Sequence, residues 1–361
     1  VSSELLEMMM LRRIANVLSN PTRPRNWALL VGCLLPTLTA LGLTVCRADS
    51  PSGEPIAILL AAGDITGCHQ TGDKHAAMAG QIQKEIEAAK DIPLGILALG
   101  DLAYADYKHQ KAQPGTYASC FNSFVATWGV YKNRIFPVPG NHDYSDDITP
   151  AKKLTPVKHY REYFGQRIAE LKSGAGSPSG AEDKRLSFVT RFPNSEGWLL
   201  AGLNFYGSDV DPRKWLKEQL SASTARCVLV FTHPFFASSG EHGKGKAYEP
   251  IAQLMPILYE QGATILVSGH DHHLEQFPKV GGKGKVDASK GVRSFVVGTG
   301  GATLYSTYVK HPLSERFANK SRGFLKLILY RDGYRWSFVA VDGPQVELPV
   351  GEESCNRKPP A

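Results

Sequence analysis

The amino-acid sequence predicts an α/β sandwich in which mixed β-sheets are flanked by helices. Short runs rich in Ile, Leu and Val recur along the chain, amphipathic segments separate several of them, and a strong turn signal joins two strand-like runs near the C-terminus. Strands alternating with helices give the layered class. The late hairpin makes the sheets mixed rather than purely parallel.

The strand candidates, in order, are "IAILLAAGD" (56–64), "LGILALGD" (94–101), "RIFPVPGNHD" (134–143), "WLLAGLN" (198–204), "CVLVFTH" (227–233), "ATILVSGH" (263–270) and "SFVVGTGG" (294–301). Each is nearly continuous in apolar residues, the pattern of a strand covered on both faces. Helices are expected between several of them. "KHAAMAGQIQKEIEAAK" (74–90) repeats apolar residues at Met78, Ile82 and Ile86, and "DPRKWLKEQL" (211–220) offers Asp211 as a cap with Pro212 at the first helical position. "YEPIAQLMPILYEQG" (248–262) reads as a helix ending on Gly262. Two strand-like runs in 324–341 meet at Asp332-Gly333, a hairpin signal. Residues 173–184 and 280–291 read as surface loops.

With 361 residues, 42% of them hydrophobic, the chain can bury a substantial core. Residues 1–48 read as an export signal, with Arg12, Arg13, Arg23 and Arg25 ahead of the apolar stretch 27–45 and Ala48 at a cleavage point. An uncleaved anchor through 27–45 is the alternative, weakened by Gly32 and Pro36. The remainder, 49–361, is expected to form a single domain of an exported (periplasmic or secreted) protein. The net charge of +7 falls to +4 without the first 48 residues, too mild to suggest a nucleic-acid partner. Cys68, Cys120, Cys227 and Cys355 remain, and an even number in an exported chain favours disulfides.

Polar residues able to bind metal stand where the apolar runs end: Asp64, Asp101, Asn141, His233 and His270. Ligands of open α/β sheets bind where strand ends and their loops converge. Carboxylates, imidazoles and an amide oxygen together suit a hard or borderline transition metal. Gly63 and Gly100 supply turns of unusual backbone angle beside the two aspartates. His270 and His272, two apart in an extended segment, share a face, while Asp271 and His273 turn away from it.

The ordered motifs "GD", "GDLAY", "GNHD", "FTH" and "GHDH" resemble those of the calcineurin-like metallophosphoesterases and, within them, the purple acid phosphatase branch. The resemblance spans roughly residues 55–345. It implies a four-layer αββα fold with two mixed sheets inside. Other branches commonly carry Asp-x-His on the first strand, but here Asp64-Ile65-Thr66 lacks that histidine, and Tyr104 follows Asp101 as in purple acid phosphatases. His242, nine residues after His233, matches the mammalian-type enzymes.

Carried over by position, the resemblance implies one metal on Asp64, Asp101, Tyr104 and His272, and a second on Asp101, Asn141, His233 and His270, with Asp101 bridging. A phenolate favours a trivalent ion, so Fe(III) is expected beside Tyr104 and a divalent ion (Fe, Zn or Mn) in the other site. Two metals about 3.5–4 Å apart can clamp a phosphoryl group and supply hydroxide at neutral pH. His142 would bind a phosphoryl oxygen or protonate the leaving group, with Asp143 orienting it, and His242 would contact phosphate from a Gly-rich loop. Lys244 and Lys246 on that loop read as solvated, and His273 as a bystander.

The expected activity is hydrolysis of small phosphate monoesters by a monomer, with a membrane contact only if residues 27–45 are retained. The same machinery acting on phosphodiesters (cyclic nucleotides or phospholipid headgroups) is the first alternative. A non-catalytic scaffold is the second, set back because every ligand position is occupied. Four cysteines allow three pairings; Cys68–Cys120 would staple two metal-bearing loops and leave Cys227 to Cys355.

Overall fold

The computed structural model describes residues 51–67, 74–104, 117–144, 157–173, 185–206, 211–346 and 350–357. The expected export segment 1–48 with its apolar stretch 27–45, Cys68 and residues 174–184 lie outside the described residues. The chain begins one sheet, builds the whole of a second, and returns to finish the first. The opening part comprises β1 (Ala57–Ala62), α1 (His75–Ala89), β2 (Leu94–Leu99), α2 (Tyr117–Ala126), β3 (Ile135–Val138) and α3 (Lys158–Ser173). β1, β2 and β3 run parallel.

The second sheet uses β4 (Phe188–Phe192), β5 (Trp198–Leu203), β6 (Val228–Thr232), β7 (Ile265–Ser268), β8 (Leu274–Val280), β9 (Val292–Val297) and β10 (Arg316–Ala318). Its order is β10-β8-β9-β7-β6-β5-β4, with a parallel centre of β5, β6, β7 and β9. Helices α4 (Pro212–Ala222), α5 (Glu249–Ala252) and α6 (Met255–Glu260) lie between its strands in sequence. β11 (Arg322–Leu329), β12 (Gly333–Asp342) and β13 (Gly351–Ser354) then extend the first sheet beyond β1 by antiparallel pairing. Both sheets are mixed, the first through the late hairpin and the second through the antiparallel pairing of β4 with β5 and of β8 with β9 and β10.

Alternate side chains of the second sheet enter different clusters. Leu229, Phe231, Ile265, Val267 and Phe295 join the residues of β1 and β2 in one core, while Val228, Val230, Leu266 and Val296 pack with Leu216, Ile251 and Leu258 of the helices. Apolar residues are therefore needed at every position of β6 and β7, which is why those runs do not alternate. Substituting a charge on either face would forfeit burial of roughly 1.5–3 kcal/mol per large side chain.

One expectation needs correction. Residues 248–262 form two short helices, because Pro256 at the start of α6 has no N–H to continue the ladder of α5. In α1 the buried face also takes in Glu85, whose carboxylate lies 2.7 Å from Lys326 Nζ on β11. The Asp211 cap on α4 is present, its side chain accepting from Arg213 N at 3.0 Å. At the hairpin, Asp332 accepts from Ser52 N and Oγ (3.1 and 2.7 Å), which ties down the first described residues.

A disulfide joins Cys227, just before β6, to Cys355, just after β13, with the Cα atoms 5.2 Å apart and 128 residues between them in sequence. It bonds an edge strand of the first sheet to the centre of the second. Cys120 is also disulfide-bonded, and Cys68, its expected partner, is outside the described residues. Closing a long loop restricts the unfolded chain, so Cys355→Ser should lower unfolding free energy by about 2–5 kcal/mol. Denaturation midpoints of the oxidised wild type and this variant check it; equal midpoints would show that the bridge contributes nothing.

Candidate metal centre

The parallel strands β1, β2 and β3 of one sheet and β6 and β7 of the other are each followed, within a few residues, by a ligand-capable side chain: Asp64, Asp101, Asn141, His233 and His270. Asp64, Asp101 and His270 themselves adopt left-handed backbone, with φ of 62°, 48° and 74°. Such angles cost a non-glycine residue about 1–3 kcal/mol and persist only where the surroundings impose them. Gly63 was expected to take the unusual angle, but Asp64 takes it; Gly63 is instead required by close approach, since a Cβ there would lie 2.9 Å from Leu99 O.

Main-chain hydrogen bonds stitch the strand ends together. Gly63 N donates to Val297 O (2.9 Å), Asp64 N to Gly100 O (3.0 Å), Gly269 N to His233 O (3.0 Å) and Gly300 N to Gly63 O (2.8 Å). His270 N donates to Asp64 Oδ2 at 2.9 Å, so the end of β7 is bonded to the end of β1 across the two sheets.

Two imidazoles are oriented by carbonyls. His233 Nδ1 is 2.7 Å from Leu99 O and His272 Nδ1 is 2.6 Å from Thr303 O. A carbonyl only accepts, so each Nδ1 carries hydrogen and Nε2 is the nitrogen turned inward, holding either a second proton or, once that proton is displaced, a lone pair for a cation. His233 Nε2 then lies 3.2 Å from Asp101 Oδ2, 3.2 Å from Asn141 Oδ1 and 3.1 Å from His270 Nδ1. His272 Nε2 lies 2.9 Å from the Tyr104 hydroxyl and 3.2 Å from Asp64 Oδ1, which are 2.6 Å from each other.

Hydrogen bonding alone does not satisfy the first group, where one proton on His233 Nε2 cannot serve Asp101, Asn141 and His270 together, nor the second, where the Tyr104 proton is donated to Asp64 and not to His272. A cation does. Metal–donor distances of about 2.0–2.2 Å place neighbouring donors about 3 Å apart, matching these separations. Asp101, His233 and His270 could hold one ion and Asp64, Tyr104 and His272 another, so the donor set fits a metal pair. The structure brings together all of the sequence-predicted ligand residues.

The electrostatics point the same way. Burial disfavours charge on Asp64 and Asp101, yet His272 and His233 hold them below the usual carboxylate range. Burial likewise opposes the His233 cation, but Asp101 outweighs it and pushes that imidazole up to about 9. Burial and the neighbouring His233 push His270 down to about 3. The pocket draws positive charge, whether as a proton or as a metal.

The remaining predicted residues fare unequally. His142 N donates to Asp101 Oδ1 (2.8 Å), and its ring sits 4.5 Å from that of Tyr104. Asp143 does not orient it. The 3-10 turn His142–Tyr144 sends consecutive side chains in different directions, and the Asp143 carboxylate accepts from Leu102 N (3.0 Å), Gly140 N (2.7 Å) and the Tyr117 hydroxyl (2.5 Å). Burial and Asp101 push it up to about 7. It fastens the loops after β2 and β3 to one another.

His242 is half-exposed and stacks on His270 with centroids 4.5 Å apart, while Lys244 and Lys246 are exposed. The segment after β7 is not extended. Left-handed His270 is followed by hydrogen bonds from Asp271 N to Gly269 O (3.0 Å) and from His273 N to Asp271 O (2.7 Å). Asp271 and His273 do turn away from His270 and His272, but into protein. His273, expected as a bystander, is buried with Nε2 3.1 Å from Glu275 Oε2. Sequence reasoning also missed Tyr305, whose ring stacks on His272 at 4.1 Å, and no motif marked it.

The family described as calcineurin-like phosphoesterase matches residues 56–274. The chain is similar to purple acid phosphatase 4 of Arabidopsis thaliana, with 24% identity over 322 residues that cover 86% of this chain and 87% of the relative. Similarity to human tartrate-resistant acid phosphatase type 5 is 38% over 209 residues, covering 54% of this chain and 60% of that protein. Among solved structures, purple acid phosphatase PPD1 of yellow lupin (Lupinus luteus) shares the fold, with a TM-score of 0.61, 16% identity and coverage of 85% of this chain and 55% of that one.

A Cβ at Gly140 would lie 2.1 Å from Asp101 Oδ1, so a methyl group there must displace the carboxylate. Gly140→Ala should therefore lower bound metal several-fold in elemental analysis. Gly165→Ala, whose Cβ meets open space on α3, should leave it unchanged.

Proposed function

The chain belongs to the calcineurin-like phosphoesterase family, in its purple acid phosphatase-like branch, and from that premise we propose that it is a phosphatase hydrolysing small phosphate monoesters at a two-metal centre. The observation that carries this reading is the convergence of two carbonyl-oriented histidine lone pairs with carboxylate, amide and phenol oxygens.

Asp64, Asp101, Tyr104 and His272 are assigned to Fe(III), and Asp101, Asn141, His233 and His270 to a divalent ion (Fe, Zn or Mn). Once bound, the ions supply Lewis acidity toward phosphoryl oxygens and lower the pKa of water. The protein's own groups do the rest. His142 is neutral in this setting, because burial holds its ring below the ordinary value against the pull of Asp101. Its buried Nδ1 has no hydrogen-bond partner among the described residues, which favours the tautomer with hydrogen on Nε2, since an orphaned lone pair costs less than an orphaned N–H. That N–H is the donor we assign to a phosphoryl or leaving-group oxygen. His242, stacked on His270, offers its second ring nitrogen to the substrate.

Export of the mature domain belongs to the same proposal. The Cys227–Cys355 disulfide supports an oxidising compartment, and no helix among the described residues is long and apolar enough to cross a membrane.

His142→Ala should lower kcat on alkyl phosphates about a hundredfold, and less on nitrophenyl phosphate, whose leaving group needs little protonation. Equal losses on both would limit His142 to binding. The purified protein should show a visible phenolate-to-iron absorption band that disappears in Tyr104→Phe; colourless, active, zinc-only protein would refute the iron assignment. Parallel assays with nitrophenyl phosphate and its bis ester decide between monoester and diester: faster turnover of the bis ester would overturn the monoester reading.

A further inference from the structure

We propose that Asp271, the residue between the two metal-facing histidines, is the positioning residue of His242. The inference rests on the reading of His242 as a substrate-contacting group. Asp271 is fully buried, and its Oδ1 accepts from both the main-chain N–H of His242 (3.0 Å) and the ring Nδ1 (2.7 Å). A carboxylate in this role only accepts, so Nδ1 carries the hydrogen and Nε2 is left on the far edge of the ring, free for substrate. Two bonds to a single oxygen fix the side chain relative to its own backbone, and the stack on His270 fixes the ring plane.

The other carboxylate oxygen holds the loop itself. Asp271 Oδ2 accepts from the Ser238 hydroxyl (2.5 Å) and from Gly243 N (3.3 Å), and Ser238 Oγ in turn accepts from Gly240 N at 2.9 Å. One step further, Glu275 accepts from Ser239 N (2.8 Å) and the Ser239 hydroxyl, and His273 Nε2 lies 3.1 Å from the same carboxylate. Asp271, His273 and Glu275 thus form a buried row beneath residues 238–243, the loop that carries His242. A half-exposed histidine on a glycine-rich loop would otherwise sample several rotamers and lose rate whenever its ring is misplaced.

A double-mutant cycle on the metal-loaded enzyme tests the assignment, reading kcat/KM with nitrophenyl phosphate and the dissociation constant for inorganic phosphate by calorimetry. His242→Ala should reduce kcat/KM about a hundredfold. Asp271→Asn should reduce it about tenfold in the wild type, weaken phosphate binding, and change neither quantity by more than about twofold once His242 is absent. Ser238→Ala keeps the carboxylate and serves if Asp271→Asn does not fold. Its loss should be about two- to fivefold and should likewise vanish in the His242→Ala background. Losses that multiply instead, or metal content that falls with Asp271→Asn, would overturn the assignment and make Asp271 a support of the metal site. If His242→Ala leaves kcat/KM unchanged, the reading of His242 itself fails and the inference falls with it.

Discussion

Two buried carboxylates that meet no lysine or arginine among the described residues are the constraint on which the rest depends. Among the described residues the ion-pair partners of Asp64 and Asp101 are His272 and His233. Taking an anion out of water costs several kcal/mol unless it is paired and hydrogen-bonded. Here the compensation comes from main-chain N–H groups, Tyr104 and the two imidazoles. A cation completes it. The left-handed backbone at Asp64, Asp101 and His270 stores strain in the same place, and such strain is kept only where the surrounding structure over-determines it. The two packed sheets provide that surrounding, since each contributes strand ends that the other must reach.

The fold also chooses the chemistry of each imidazole. Leu99 O lies at the end of β2 and Thr303 O follows β9, yet these carbonyls decide which nitrogen of His233 and His272 carries hydrogen. A neutral histidine is a metal ligand only through its unprotonated nitrogen, so the tautomer is as much part of the site as the ring. Tyr104 and His142 are placed differently, the phenol by its bond to Asp64 and the imidazole by its main chain. The His142 amide is spent on Asp101, which fixes where the next residue's side chain must leave the turn, and Asp143 is thereby committed to fastening backbone.

Much of this was legible in the sequence because strand burial and strand ends leave strong local signals. Continuous apolar runs marked β1, β2, β3, β5, β6, β7 and β9, and the residues that follow several of them marked the site. What was not legible depends on partners distant in sequence. Glu85 reads as a solvent-facing helix position until Lys326 is seen beside it. Tyr305 sits in a segment without periodicity, and only the fold stacks it on His272. The break at Pro256 was written in the sequence, but the apolar spacing of 248–262 outweighed it in a reading by period. Asp143 was misjudged for a geometric reason, because adjacency in sequence is not proximity of side chains in a 3-10 turn.

The segment 270–275 shows how few residues this architecture needs for two tasks. A strand would place alternate side chains on opposite faces, and the tight turns after β7 preserve that division while letting the chain leave the sheet. One set, His270 and His272, closes on Asp101, Asn141, Tyr104 and Asp64. The other set, Asp271, His273 and Glu275, closes on Ser238 and Ser239 beneath His242. Metal-side and loop-side groups therefore share one backbone, and a shift in either set moves the other. The place of the His242 ring relative to His270 is set by this short stretch, through the Asp271 bonds and the ring stack. The place of the His242 ring on its glycine-rich loop is thus determined from below, by the Asp271 carboxylate and the face of His270.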